Sequence, residues 1–145
     1  MYTYKVTIVR VVDGDTIDVD IDLGFGMTYS NQRIRLSGID TPECRTRDDV
    51  EKQFGFLAKR FVESLVGEPG STCTLQSHAF EKGKFGRILG EFIIKDELGM
   101  SISVNDSLIG EHLAVEYHGQ SRDDIEEQHI LNRSLVLSEG RHQLL

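Results

Sequence analysis

The sequence has few of the residues that cross-link a small fold or anchor a chain in a membrane. It has two cysteines, two prolines and no apolar run long enough to span a bilayer. Cys44 and Cys73 match neither a zinc spacing nor a CxxC redox motif, so we interpret them as unpaired thiols. No secretory signal is seen, because residues 1–5 lead directly into a strand-like pattern. We expect a cytoplasmic protein of one domain, residues 1–145, with no membrane partner.

Positive charge is also scarce. The formal net charge is −8 at pH 7, which argues against non-specific binding of a polyanion. Residues 1–47 carry 6 basic and 7 acidic groups, residues 48–95 carry 7 and 7, and residues 96–145 carry 3 and 10. A phosphate-binding face in the first two thirds therefore remains open, and the acidic last third would suit a structural interaction domain that uses it as a contact surface.

Alternating apolar and polar residues predict short strands. In residues 16–22 three apolar side chains face one way and three aspartates face the other. Arg33 and Arg35 share the face opposite Ile34 and Leu36. The predicted strands cover residues 4–9, 16–22, 33–36, 72–78, 86–95 and 100–104.

Helical spacing appears between and after these strands. Residues 50–65 have one apolar face, with acids 48–49 at the start and Gly67 at the end. A short helix is expected at about 105–113 and a last one at about 121–140. This order predicts an α+β fold, a small five-stranded Greek-key barrel (OB-fold) with three α-helices. Such barrels often bind nucleic acid, although a fold alone does not establish an activity.

Two acidic clusters meet the needs of a hard cation. Asp13-Gly14-Asp15 is predicted to form a tight turn, since glycine accepts a positive φ. Asp40 ends a strand-like segment and is followed by Thr41 and a bend fixed by Pro42. Calcium and magnesium prefer carboxylate and carbonyl oxygens. Seen alone, however, each cluster is more simply a turn or a strand exit.

Two charged residues flank the second cluster. Glu43 lies three residues after Asp40 and could activate water as a general base, or be an exposed acid before a helix. Arg35 lies five residues before Asp40, and its guanidinium suits phosphate oxygens. Alternatively, Arg35 is a solvent-facing partner for Asp18 or Asp20.

The combination is more specific than its parts. Arg87 follows a basic-aromatic element at 84–86 and, taken alone, could be a surface charge. With the acidic clusters it gives the chain a resemblance to the staphylococcal nuclease (thermonuclease) family over about residues 3–140. The matching segments are Asp13-Gly14-Asp15-Thr16, Arg35-Leu36-Ser37-Gly38-Ile39-Asp40-Thr41-Pro42-Glu43, Lys84-Phe85-Gly86-Arg87, Val104-Asn105 and Glu127-Gln128-His129.

The resemblance implies a calcium site. Asp15 and Asp40 would be direct carboxylate ligands of one Ca²⁺ ion, with the Thr41 carbonyl as a third ligand and Asp13 supporting them. Mg²⁺ or Mn²⁺ would be substitutes. A cation and guanidiniums stabilise the charge that grows as a phosphodiester is hydrolysed, which agrees with such a site.

The resemblance also implies a reaction. Glu43 would orient or deprotonate the attacking water, Arg35 and Arg87 would hold the scissile phosphate, and Lys84 would approach a terminal phosphate. Tyr117 would contact a base. The substrates would be DNA and RNA, cut to leave 3′-phosphate ends. Because OB-fold grooves suit single strands, we expect single-stranded or flexible substrates to be preferred. We also expect a monomer.

Some features depart from the family pattern. Phe85 replaces a more usual tyrosine, Gly83 replaces a frequent acid, and many members are basic. We interpret His78, His112, His118 and His129 as surface or packing residues, since they show no metal spacing, with a base-stacking role open for His118. The alternative function is an inactive OB-fold module that binds nucleic acid, but the retained acids and arginines favour an enzyme. The absent signal and short tail resemble phage- or plasmid-encoded members.

Overall fold

The computed structural model describes residues 2–80 and 87–142. The strands are β1 (Tyr2–Asp13), β2 (Thr16–Gly24), β3 (Met27–Leu36), β4 (Ile39–Asp40), β5 (Thr72–Phe80), β6 (Ile88–Lys95), β7 (Ser101–Ser103) and β8 (Val115–Glu116). The helices are α1 (Asp49–Val66), α2 (Val104–Gly110) and α3 (Arg122–Ser138).

Five strands form a closed barrel. They follow the order β3-β2-β1-β5-β6 with antiparallel neighbours, and a parallel pairing of β3 with β6 closes the ring at Ile34↔Ile88 and Leu36↔Gly90. Strand β7 extends the sheet beyond β6, and β4 pairs separately with β8. The predicted α+β fold, a five-stranded OB-type barrel with three helices, is confirmed for the described residues.

The alternating strands supply the barrel interior, and the buried apolar side chains of α1 belong to the same core cluster. The N-cap Asp48 accepts hydrogen bonds from the Val50 and Glu51 amides at 3.0 and 3.1 Å. Gly67 ends the helix at φ 88°, a conformation that favours glycine. The largest fully buried side chains are Phe92, Ile8, Ile17, Ile34, Leu36, Leu75, Leu108, Val6, Val19, Val62, Val104 and Val136.

The other two helices begin at serine caps. Ser103 accepts from the Asp106 amide and Ser121 accepts from the Asp124 amide, each at 3.2 Å. Helix α2 ends at Gly110, earlier than the sequence pattern predicts. None of the helices in these ranges combines the length and the apolar character that a membrane crossing needs.

One of the three aspartates on β2 is buried. Asp18 is 3% exposed, and its neighbours across both flanking strands are arginines. Arg10 Nε donates to Asp18 Oδ2 at 2.8 Å, and Arg33 Nε donates to Oδ1 at 2.9 Å. The two guanidiniums therefore cover the carboxylate, an arrangement that we call the Asp18 clamp.

Candidate active site

The two acidic segments meet because a glycine lets them pack. A Cβ atom built on Gly14 would lie 2.8 Å from the Cβ of Ala58 on α1 and 3.0 Å from Thr41 Cγ2. Gly14 does not have a positive φ. The predicted turn is present, but glycine is needed there for close approach to α1 and Thr41 and not for a left-handed backbone.

Arg35 lies between the two predicted metal-binding aspartates. Its Nη1 donates to Asp15 Oδ2 at 3.0 Å and its Nη2 donates to Asp40 Oδ1 at 3.4 Å. The Arg35 side chain is 16% exposed, against 48% for Arg33. Arg33, and not Arg35, is the partner of Asp18, so the reading of Arg35 as a solvent-facing partner for the β2 acids is wrong.

Asp15 joins both segments. Its Oδ1 accepts from Thr16 Oγ1 at 3.0 Å, and its Oδ2 also accepts from the Thr41 amide at 3.3 Å. The Asp15 carbonyl accepts from the Leu36 amide at 2.8 Å, which ties the turn to the end of β3. Asp15, Asp40 and Thr41 are therefore brought together around one guanidinium.

Asp13 lies behind this group. Its Oδ1 is buried and has no hydrogen-bond partner among the described residues, and the same holds for Thr41 Oγ1. Burial, together with a hydrogen bond to Asp13 and its negative charge, raises the pKa of the Cys44 thiol to about 12. Cys44 therefore stays protonated at neutral pH, which agrees with leaving it out of the chemistry.

Glu43 is an exposed residue at the rim. Partial desolvation of its carboxyl, and then the negative charges of Glu51, Asp13, Asp40 and Asp15, raise its pKa above the ordinary value of 4.5. A higher pKa makes a carboxylate a stronger proton acceptor, so the position suits a general base.

These side chains line a pocket of about 200 Å³. We call it the acidic pocket; its lining residues are Asp13, Asp15, Thr16, Arg35, Asp40, Thr41, Pro42, Glu43 and Arg87. Every predicted catalytic and metal-binding residue is among them. A neighbouring cavity of about 610 Å³ extends from Asp40, Thr41 and Glu43 towards α3.

Of the two residues predicted to bind substrate, one lies in the described part of the structure and one does not. Tyr117 follows β8, is 43% exposed and has its ring centroid 5.8 Å from Arg35 Cζ. This distance allows a cation–π contact and leaves part of the ring exposed. Lys84 lies outside the described residues.

His129 was missed as a site residue. It is 8% exposed, and its Nε2 lies 2.9 Å from Asp40 Oδ2, so it is not a surface residue. The one sequence feature that could have identified His129 is its place in the Glu127-Gln128-His129 segment, which matches the family. Its distance from Asp40 along the chain gives no indication that the two side chains are in contact.

The oxygen atoms of the acidic pocket fit a hard divalent cation. Four carboxylates face two guanidiniums, so the pocket has an excess of negative charge. Asp15 and Asp40 lie within the span of one guanidinium, and Asp13 has a buried oxygen without a partner among the described residues. Carboxylate and carbonyl oxygens are the ligands that Ca²⁺ and Mg²⁺ prefer.

Fold and pocket together define a class, an OB-type barrel with an acidic, arginine-containing pocket where the β1–β2 turn meets the exit of β4. The chain belongs to the Staphylococcal nuclease homologue family, whose sequence profile matches residues 33–135. That match begins after the Asp13–Asp15 turn and includes six residues of the acidic pocket. They are Arg35, Asp40, Thr41, Pro42, Glu43 and Arg87.

Individual relatives agree with this assignment. A thermonuclease of Staphylococcus hyicus is 32% identical over 112 residues, which cover 77% of this chain and 57% of that protein. A thermonuclease of Staphylococcus intermedius is 32% identical over 89 residues, which cover 61% of this chain and 48% of that protein. An uncharacterized endonuclease of Escherichia coli is 35% identical over 96 residues, which cover 66% of this chain and 51% of that protein. The chain thus spans about half the length of these curated relatives.

Proposed function

We propose that this protein is a calcium-dependent nuclease that hydrolyses phosphodiester bonds in DNA and RNA and leaves 3′-phosphate ends. The observation that carries the proposal is the acidic pocket, in which Arg35 bridges two carboxylates while Glu43 and Arg87 line the same space. Names of relatives support it, since two are thermonucleases and one is an endonuclease. The pocket is built within one chain, which supports action as a monomer.

Asp15, Asp40 and the Thr41 carbonyl would hold the cation, with Asp13 supporting them. When bound, Ca²⁺ would offset the negative charge of the pocket and act as a Lewis acid towards a phosphate oxygen; Mg²⁺ and Mn²⁺ are candidate substitutes. An acid-rich pocket repels an anionic substrate, so binding of a phosphodiester here should require that compensation.

Glu43 would serve as the general base. Its carboxylate takes a proton from water, the water oxygen forms a bond to phosphorus, and the bond from phosphorus to the 5′ oxygen breaks. The leaving oxygen takes a proton from solvent, so the products are a 3′-phosphate and a 5′-hydroxyl. The raised pKa of Glu43 makes it a better proton acceptor than an ordinary glutamate.

The arginines would stabilise the phosphate as its charge grows. Arg35 is held by Asp15 and Asp40, so its orientation is fixed before substrate arrives, which limits the reorganisation needed. Arg87 would supply the second guanidinium, and Lys84 would approach a terminal phosphate. The exposed face of Tyr117 offers a base a stacking surface, which favours single-stranded or flexible substrates.

The deciding experiment is digestion of heat-denatured DNA and of RNA with calcium, magnesium, manganese or a chelator. We expect cleavage with calcium, none with chelator, and 3′-phosphate ends shown by end-labelling. Arg87→Ala and Glu43→Gln are the matched variants, and both should lower kcat. Cleavage that ignores the chelator would overturn the metal assignment. Nucleic-acid binding without cleavage under any ion would establish the inactive binding module instead.

A further inference from the structure

Helix α3 contacts the rest of the protein through very few buried side chains. Of its 17 residues, Arg122–Ser138, only His129 and Val136 are buried. They are seven residues apart and therefore lie on one face of the helix. One of these two buried positions is a histidine, where an apolar residue would pack without any polar cost.

Burying an imidazole is unfavourable unless its nitrogens are hydrogen-bonded. His129 Nε2 lies 2.9 Å from Asp40 Oδ2, and an ionised carboxylate can only accept, so Nε2 donates. The other oxygen of Asp40 accepts from Arg35 at 3.4 Å. The two oxygens of Asp40 are thus held by different elements, α3 and β3.

Asp40 needs such support because little backbone structure holds it. Its strand, β4, has two residues and, within the described part of the chain, pairs only with β8, at Ile39↔Glu116 and Asp40↔Val115. The Asp40 side chain is 29% exposed, whereas that of Asp15 is 13% exposed and bonded to Arg35, Thr16 and the Thr41 amide. Of these two acids, Asp40 is the one whose orientation depends on a contact 89 residues away in the chain.

We propose that His129 is a positioning residue for the cation site. Its Nε2–H group fixes the carboxylate of Asp40, so that helix α3 forms part of the active centre. This assignment rests on the proposed function, because Asp40 is proposed there as a metal-binding residue. Hydrogen-bond donors to metal-binding side chains typically change metal affinity by ~10–100-fold when removed.

A packing role and a positioning role make opposite demands on the side chain. If His129 only fills space, leucine should replace it without loss. If its donor matters, leucine should fail and glutamine, whose amide nitrogen can reach the place of Nε2, should restore function. Val136→Ala is the matched control, since it removes a fully buried contact of the same helix and leaves the contact with Asp40 intact.

The test measures calcium binding to the full chain by isothermal titration calorimetry, thermal unfolding in chelator, and cleavage of denatured DNA. His129→Leu should keep or raise the unfolding temperature yet bind calcium ~10–100-fold more weakly, and His129→Gln should recover most of that loss. Val136→Ala should unfold at a lower temperature with calcium affinity within about two-fold of wild type, since its site is untouched.

Two failures are distinguishable. If wild type binds calcium and cleaves, and His129→Leu binds calcium equally well, His129 is a packing residue and the inference is wrong. It is also wrong if Val136→Ala loses affinity as much as His129→Leu does, because helix docking alone would then explain the effect. If wild type neither binds calcium nor cleaves DNA, the proposed function itself fails, and this inference with it.

Discussion

Strand β3 contributes one arginine to each of two arginine–carboxylate clusters that differ in composition. In the Asp18 clamp, one buried acid lies between Arg10 and Arg33. In the acidic pocket, one arginine, Arg35, lies between Asp15 and Asp40. Arg33 and Arg35 are two residues apart on β3 and point to the same side of the strand, yet one belongs to each cluster.

The difference separates a structural cluster from a functional one. Burial alone would raise the pKa of Asp18, but hydrogen bonds and charges from Arg33 and Arg10 outweigh it and hold the pKa below the usual value. The clamp therefore satisfies its one acid. The acidic pocket has more acids than guanidiniums, and one Asp13 oxygen lacks a partner among the described residues. A site with such a surplus is suited to a cation.

Replacing Arg87 should have the largest effect on catalysis. Arginines that meet growing phosphate charge are worth roughly 10³–10⁵ in rate, so we expect Arg87→Ala to lower kcat by about that factor. KM should change far less, because the interaction strengthens in the transition state. Arg87→Lys keeps the charge but not the two-pronged geometry and should recover only part of the loss. A kcat equal to wild type in Arg87→Ala would remove Arg87 from the reaction.

The paired variants Arg35→Ala and Arg33→Ala test the contrast between the clusters directly. Losing a preorganised donor in comparable sites costs ~10²–10³ in kcat, which we expect for Arg35→Ala. Arg33→Ala should leave kcat near wild type and lower the unfolding temperature, because it removes one partner of a buried carboxylate. Steady-state kinetics and thermal unfolding decide the matter. Similar kinetic losses in both variants would show that the two clusters are not separable.

Gly55 of α1 offers a way to disturb Glu43 without changing any charge. A Cβ at Gly55 would lie 2.4 Å from the Glu43 carbonyl oxygen and 2.9 Å from the Cys44 amide nitrogen, so Gly55→Ala must displace this segment. Misplacement of a catalytic group by about 1 Å can cost ~10² in rate. We therefore expect kcat to fall by up to ~10²-fold in steady-state kinetics. This loss is expected even though alanine has a higher helix propensity than glycine and by that property alone would stabilise α1.

The matched control for Gly55→Ala is Gly110→Ala in α2, where an added Cβ meets nothing within 4 Å. Its kcat should equal that of wild type. Equal kinetics for both glycine variants would mean that α1 does not hold Glu43 in its working position.

Local patterns predicted most of the fold. Alternation predicted β1, β2 and the end of β3, and the acidic start and glycine end predicted α1, because those signals act within a few residues. Strands β4 and β8 have two residues each, too few to show a period. The parallel pairing of β3 with β6 joins segments more than 50 residues apart in the sequence. It could not be predicted, because the alternating pattern of each strand would be the same if the two strands were not paired.

The site was predictable in its membership but not in its pairing. The family resemblance placed Asp15, Arg35 and Asp40 in one site. The alternating pattern of the strands, however, could not exclude Asp18 or Asp20 as the partner of Arg35. Register decided between them, since Asp18 lies opposite Arg33. The contact of His129 with Asp40 depends on how α3 docks, which no local pattern encodes.

Breaking the Asp18 clamp should have the smallest effect, and it should appear in stability and not in rate. Asp18→Asn removes the charge but keeps one acceptor oxygen, and both arginines remain partly hydrated at 62% and 48% side-chain exposure. We expect a loss of about 1–3 kcal/mol in the free energy of unfolding at pH 7, measured with urea, and an unchanged kcat. Asp20→Asn, on the same strand, is the control and should lose less, because asparagine can still accept from the Asn31 amide.

The pH dependence of that loss gives a sharper test of the clamp. The pKa of Asp18 is lower in the folded protein than its ordinary value of 3.8, so the charged form stabilises the fold. That contribution is fully present above the unfolded pKa and is lost as the pH falls through the folded pKa. The difference in unfolding free energy between wild type and Asp18→Asn should therefore be constant from pH 7 down to about 5 and shrink in stronger acid. A difference that persists unchanged below the folded pKa would attribute the clamp's contribution to packing and not to charge.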